Sequence, residues 1–588
     1  MQEKNKDRNM IDDISVMIAG KAGDGVLFTG NVLAKILKRQ GWEIVTYRDF
    51  PSNIRGEATN YTIRASLRKI HGRADTVDVL MAFDCDAILS HISSIAPGGI
   101  VLCEGSEING MKPEDRWDKT FHVFPMRILA KEKFGNEIFK NMILLGGLCY
   151  ILDLDLSIIS DIITETFLER KGRVVVRRNI EAIHLGCDEA EKIVGPQERH
   201  ALKKKRDIDR LLISGNEAVG IGSLAAGCRF FAAYPICPAT EIWQWLILHF
   251  SRNNGLVVQT EDELAAINMA LGASYAGSRA MTSTSGPGAS LMMEGFSLAG
   301  MTEIPLVVVH VQRVGPSTGL PTKSEQADLL QWIFGSHGDF PRIVLSPGTI
   351  HESFLFTIKA FNLADKYQCP VILITEQDFA QNYRTVKKFN MEKASIDRGK
   401  LLTKKELLGI KDYKRFALTP DGVSPRALPS MKNGIHMVEG NEHNERGHRD
   451  ETSGNRIKMM EKRMRKMKTA RKDLIRSRIW GNKSAEIGII GCGSTFGPIR
   501  EAMGQLEESG VKAKFLKICT LWPFLDKEVE DFIATCRQVF VVDNNYRGQL
   551  AELISSQVRS KVPMKNILNY SSHTFRPKDI AGPIQKAH

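Results

Sequence analysis

Between residues 215 and 342 the chain carries side chains whose types suit chemistry. Glu263, in QTEDELAAI, stands where an apolar run gives way to a helical pattern. Cys237, in AYPICPATE, lies between Pro235 and Pro238, and two prolines stiffen a loop and fix what it presents. Arg313, in VHVQRVGPSTG, follows a buried-looking run directly. A guanidinium at a strand end is suited to bidentate capture of a carboxylate. SGPG at 285–288 adds glycines that let backbone approach a ligand closely. Read singly, Glu263 is also an ordinary first-turn carboxylate at a helix start, and Arg313 an interdomain salt bridge.

All four loops follow apolar runs, the pattern by which a parallel α/β sheet presents a ligand at its strand ends. The runs RFFAAYPI, GLVVQT, RAMTST, IPLVVVHV, PRIVLSP and CPVILITE predict such strands, with helices between them, over 211–384. Glu261 and Asp262 are expected to be exposed or capping. Upstream, over 11–195, ISVMIAG, a GKAGDG loop, the helix VLFTGNVLAKILKRQG and WEIVTYRDF predict a Rossmann-like β-loop-α-β domain in a doubly wound sheet. Its Gly20, Gly23 and Gly25 fall in the order G-x-x-G-x-G, not the G-x-G-x-x-G of a dinucleotide loop. Residues 385–484 predict a less regular connector with a basic helix. Residues 485–588, opening on AEIGIIGCGSTFGPIREAMG, predict a third, smaller α/β sheet. The whole is an α/β chain of about three to four domains.

The net charge is +12, much of it in two tracts: 203–206, and RIKMMEKRMRKMKTARKDLIRSR at 456–478. The second has helical spacing and no aromatic among its charges, which argues for a solvated connector on an acidic partner surface rather than a nucleic-acid arm. None of the ten cysteines forms a C-x-x-C pair, so no iron–sulfur cluster or structural zinc is expected in this chain. His436, His443 and His448 with Glu442 and Glu445 match no standard zinc spacing and read as a solvated loop. No long apolar run and no secretory signal is present, so neither a membrane partner nor export is expected, and a cytoplasmic location is.

Block by block, 215–342 resembles the α subunit of the 2-oxoacid:ferredoxin oxidoreductases, thiamine-diphosphate enzymes that decarboxylate 2-oxoacids and make acyl-CoA. GLPTKSEQAD and FGSHGD, with Lys323, Glu325 and His337, belong to the same likeness. His337 reads as an acid, a base or a structural turn residue. FPSNIRGEATNYTIRAS and FPMRILAKEKFGNEIFKNMILLGGL resemble the family's γ subunit, and 485–588 its transketolase C-terminal-like domain. The likeness implies a γ–α fusion, with 211–384 a thiamine pyrimidine-binding domain. It implies Glu263 hydrogen-bonded to the cofactor's pyrimidine nitrogen, favouring the tautomer that deprotonates the thiazolium carbon. It places Ser285 and Gly286 at the cofactor, and Tyr234, Cys237 and Arg313 at the substrate. The family loop usually reads YPITP, so Cys237 stands where a threonine is usual. Gly23-Asp24-Gly25 with Asn53 imitates a magnesium motif, but the γ likeness instead puts Asn53 and Arg55 near coenzyme A. No metal is implied in this chain. A β subunit is implied to supply Mg²⁺ and the diphosphate half, and a [4Fe–4S] cluster feeding ferredoxin, in an (αβ)₂ assembly. 2-Oxoglutarate is the favoured substrate, with pyruvate, branched-chain 2-oxoacids and a nicotinamide-dependent reductase as alternatives.

Overall fold

The computed structural model describes residues 11–51, 56–104, 118–203 and 209–588. Strands β1 (Asp13–Lys21), β2 (Glu43–Asp49), β3 (Ala58–Ser66), β4 (Val77–Ala82), β5 (Ile95–Cys103), β6 (Thr120–Val123) and β7 (Arg210–Ile213) open the chain. They are followed by β8 (Cys228–Ala233), β9 (Leu256–Gln259), β10 (Arg279–Thr284), β11 (Leu306–Gln312), β12 (Ile343–Leu345) and β13 (Pro370–Glu376). Then come β14 (Arg384–Lys387), β15 (Arg478–Gly481), β16 (Ile487–Cys492), β17 (Ala513–Ile518), β18 (Thr520–Trp522), β19 (Gln538–Asp543) and β20 (Met564–Leu568).

Two compact units result: Met1–Ile213 with Asn382–Lys388, and Ser214–Gln381 with Phe389–His588. The first holds a sheet in the order β6-β5-β4-β1-β3-β2-β14-β7. β1, β4, β5 and β6 are parallel, but β3 lies between β1 and β2, antiparallel to both. The β-loop-α-β unit is therefore split by an inserted strand. β7 and β14, expected at the two ends of the middle domain, pair antiparallel at this sheet's edge instead. Such edge pairing uses backbone groups and leaves little trace in side-chain pattern.

In the second unit β18-β12-β13-β11-β10-β8-β9 form a sheet that is parallel except for β18. β15-β17-β16-β19-β20 form another, antiparallel only at β15. Every residue of β11 is buried, as a strand covered on both faces requires. The two sheets share one core that includes Val308, Ile372, Ile490, Leu516 and Val541. The third sheet is thus built against the second instead of standing apart.

The basic helix, Ser453–Ala470, departs from expectation. Its buried residues are Met459, Lys462, Arg463, Lys466, Met467 and Ala470, one helical stripe, so the cationic face points inward. Lys462 Nζ donates to Glu303 Oε1 at 2.6 Å, Lys466 also pairs with Glu303, and Arg463 makes a forked pair with Glu442. The acidic partner is this chain itself. Arg398 and Arg426, also in the expected connector, share Asp365 with Arg279. Two of the three histidines at 436–448 are likewise packed, while His448 is exposed. His443 is fully buried against Phe416, and His436 sits edge-on to Tyr275 and Tyr413.

Glu376, the last residue of β13, is fully buried between the two sheets, accepting from Gln326 Nε2 at 2.7 Å and Ser494 N at 3.0 Å. Burial pushes its carboxyl from an ordinary 4.5 up to about 8. Between those values the unfolded chain has released this proton and the folded chain still holds it, so this group makes stability fall as pH rises through that window. Urea midpoints followed across that range should show Glu376→Gln gaining on wild type with rising pH. A constant difference between the two proteins would mean that Glu376 titrates alike in both states.

Candidate functional site

The C-terminal ends of four adjacent parallel strands, β8, β9, β10 and β11, open on one edge of the second sheet. Beyond β8 the Tyr234–Pro238 turn leads to the helix Thr240–Phe250, and Asn216 Nδ2 holds Pro238 O at 3.0 Å. Beyond β9, Asp262 caps the helix Glu263–Tyr275 by accepting from Ala265 N at 2.7 Å. With capping done by Asp262, Glu263 turns inward and is only 4% exposed, whereas Glu261 stays in solvent. β10 ends at Thr284, followed by Ser285 as the N-cap of a short helix, Gly286–Leu291, where the sequence suggested a loop, and β11 ends immediately before Arg313.

These four ends bring together most of the residues singled out in the sequence. Arg313, 5% exposed, donates from Nη1 to Cys237 O at 2.8 Å and from Nη2 to Thr318 O at 3.0 Å. A Cβ on Gly288 would stand 2.3 Å from Glu263 Oε1 and 2.2 Å from Thr284 Oγ1, so only glycine lets that carboxylate lie against the first turn of the Gly286–Leu291 helix. A Cβ on Gly286 would reach Arg313 Nε at 3.3 Å. Tyr234, 41% exposed, stands at the mouth on the Cys237 turn. Burial raises the Glu263 carboxyl, opposed by its own N–H and by Arg313, with Asp262 adding to the rise. Burial likewise lowers the Arg313 guanidinium, against the pull of Cys237, Asp328 and Glu263.

Thr284 Oγ1, Ser285 Oγ and Arg313 Nε are buried without a hydrogen-bond partner. These three atoms lie on the strand ends that carry Glu263, with Thr284 Oγ1 beside its carboxyl, and are available to a ligand there. A carboxyl raised by burial, two unused hydroxyls and a glycine-lined helix start fit a flat heterocycle whose ring nitrogen meets Glu263. Arg313 suits an anion beside it. The thiamine pyrimidine fits this donor set. Among the described residues no three His, Cys, Asp or Glu side chains gather as metal ligands.

Other candidates lie elsewhere. His337 is exposed and lines a cavity of about 210 Å³ with Glu294, Asp339 and Arg463, a lining that includes none of Glu263, Cys237, Ser285 and Arg313. Glu325 accepts from Gly315 N at 3.4 Å beside the Arg313 loop. In the first unit Asp24 accepts from Lys140 Nζ at 2.7 Å and from Lys21 N at 3.0 Å, so the acid of the GDG turn is already neutralised. Asn53 and Arg55 lie outside the described residues. Thr284 was missed because a threonine at the end of RAMTST reads as strand. His310 was missed too, although a histidine inside an all-apolar run is itself a signal.

Three family models match the chain. "Pyruvate flavodoxin/ferredoxin oxidoreductase, thiamine diP-bdg" covers 221–462, "Pyruvate ferredoxin/flavodoxin oxidoreductase" covers 15–189, and "Pyruvate:ferredoxin oxidoreductase core domain II" covers 485–580. The α subunit of 2-oxoacid:ferredoxin oxidoreductase 2 from Aeropyrum pernix is 30% identical over 98% of this chain and 97% of its own. The 2-oxoglutarate synthase subunit KorA of Methanothermobacter thermautotrophicus is 35% identical, spanning 64% of this chain and 99% of itself. A solved 2-oxoglutarate:ferredoxin oxidoreductase from Magnetococcus marinus, with 2-oxoglutarate, coenzyme A and succinyl-CoA bound, superposes with a TM-score of 0.92 at 35% identity. That match covers 98% of this chain and 99% of the other.

Proposed function

The chain belongs to the 2-oxoacid:ferredoxin oxidoreductases, as an α subunit of these thiamine-diphosphate enzymes, and we propose that the 2-oxoacid it takes is 2-oxoglutarate. The observation that carries this reading is the near-complete likeness to the Magnetococcus marinus enzyme, supported by the KorA relative. The reaction is oxidative decarboxylation: the bond from the carboxylate to the 2-oxo carbon breaks, CO₂ leaves, the acyl group joins coenzyme A, and two electrons pass out to ferredoxin. Thiamine diphosphate, when bound, supplies the electron sink for that bond cleavage. Glu263 holds a proton at the pyrimidine nitrogen, with Ser285 and Gly286 flooring the ring. Arg313 takes the substrate carboxylate, flanked by Cys237 and Tyr234.

An α subunit works with other subunits. In this reading a β subunit brings the diphosphate half, Mg²⁺ and a [4Fe–4S] cluster, and pairs with this chain as (αβ)₂. The first unit contributes Asn53 and Arg55 to coenzyme A. A reducing, cytoplasmic setting accords with ten cysteines that form no disulfide. Among the described residues no helix is long and apolar enough to cross a membrane.

Cys237 is the point of departure from the usual family loop. A thiol is a weak donor, so Cys237→Thr should lower the KM for the acid about two- to tenfold, the worth of one ordinary hydrogen bond. Steady-state KM values for both proteins decide this; a rise in the variant would show that the loop is tuned to the thiol.

The reading is tested by co-expressing the chain with its β subunit and following viologen reduction anaerobically, with coenzyme A and a panel of 2-oxoacids. CoA-dependent reduction with 2-oxoglutarate foremost is expected. A loaded complex that prefers pyruvate or a branched-chain acid would overturn the substrate and leave the family intact.

A further inference from the structure

Arg313 stands at the start of a loop whose closure is unusually costly. Its strand, β11, is apolar except for His310 and Gln312, both fully buried. His310 Nε2 meets Asp328 Oδ2 at 2.8 Å, and Gln312 Oε1 accepts from Asp328 N at 3.0 Å. Each does so with its other polar atom left over: His310 Nδ1 and Gln312 Nε2 are buried without a partner. An unpartnered buried polar atom costs stability, and an apolar residue at either place would avoid it. What an apolar residue would not do is grip Asp328. The His310 ring is further fixed by Trp332, with centroids 5.3 Å apart.

Asp328 is where the chain returns after leaving the strand at Arg313. Between them the two legs of the loop are tied by Val314 N to Lys323 O at 3.2 Å and Leu320 N to Val314 O at 3.0 Å. Arg313 Nη2 then bonds to Thr318 O within that loop, and its Nη1 to Cys237 O on the neighbouring turn. The returning leg is riveted to both sheets: Gln326 N donates to Asn544 O, just beyond β19, at 2.8 Å, and Gln326 Nε2 to Glu376 at the end of β13. The guanidinium therefore rests on a loop whose shape depends on how the base is closed. Asp328 is also close enough for its charge to favour the Arg313 cation.

We propose that Asp328 and His310 are positioning residues for the substrate carboxylate: together with Gln312 they latch the base of the Arg313 loop and thereby set where its guanidinium stands. The inference rests on the reading of Arg313 as the carboxylate's partner. His310 acts by donating from Nε2 to the Asp328 carboxylate, and Asp328 acts through Arg313 rather than on the acid.

The test uses the assembled enzyme with its β subunit. Asp328→Asn should raise the KM for the 2-oxoacid about ten- to a hundredfold, since a displacement near 1 Å at a binding group has effects of that order. The KM for coenzyme A should stay as it was. Added to Arg313→Gln, Asp328→Asn should change the KM no further. An equal rise in both backgrounds would overturn the latch, because the residue would then be acting independently of Arg313. A raised KM in Arg313→Gln beside an unchanged KM in Asp328→Asn would overturn the latch alone. An unchanged KM in Arg313→Gln would overturn both the carboxylate assignment and the latch. Should Asp328→Asn not assemble, His310→Gln and His310→Leu make the same comparison. Glutamine can donate from the same place and should keep the KM, while leucine should raise it. Equal values in those two variants would sink the proposal.

Discussion

Glu263→Gln lowers turnover of the assembled enzyme about 10²- to 10⁴-fold, the range carried by a positioned proton-transfer group. The substitution keeps size and shape, so the helix turn at Gly288 stays in place. What it removes is an ionisable proton at a site where burial has raised the carboxyl. The same change should leave the folding midpoint equal to or above that of wild type, because a carboxyl that is only 4% exposed is costly to keep. Opposite signs in activity and stability separate a catalytic carboxylate from a helix-start one. Viologen reduction and a urea melt on the same preparation decide it. Turnover within a few-fold of wild type would return Glu263 to the role of a first-turn acid.

Glu303→Gln destabilises the second unit by about 3–5 kcal/mol, the usual result of taking one partner from a buried ion pair. Glu303, Lys462 and Lys466 are all fully buried. Burial alone would raise the Glu303 carboxyl, but Lys462, Lys466 and Arg415 more than reverse this and hold it far below the carboxylate range. Without that charge two ammonium groups remain in a dry interior, where Lys462 is already pushed down to about 7 by burial. Lys462→Met should cost much less, since Lys466 still pairs with Glu303. The folded carboxyl is depressed, so its contribution is present above the ordinary carboxylate value and is lost as pH falls through the folded one. Urea midpoints for the two variants settle the order, and equal losses would show that the cluster is not charge-coupled.

Much of this was legible in the residues. RFFAAYPI, GLVVQT, RAMTST and IPLVVVHV each became a strand, and the turns and helix starts after them carry Cys237, Glu263, Ser285 and Arg313 on one edge. Apolar runs broken by glycine and proline are local signals, readable because a parallel strand covered on both faces has no polar side to show. Long-range pairing was not legible. The basic stretch at 456–478 reads as solvated because its counter-charge, Glu303, lies far back in the chain and at the end of another helix. β7 and β14 join the first sheet by backbone bonds that their side chains do not announce. The partner of His310 is Asp328, beyond a loop that the sequence shows only as turn residues. Residue type and spacing were enough to determine the strands, the loops and the chemical kinds gathered at the strand ends. Only the tertiary structure decided which charges are buried and what grips the Arg313 loop, because burial and pairing depend on distances between residues remote in the chain.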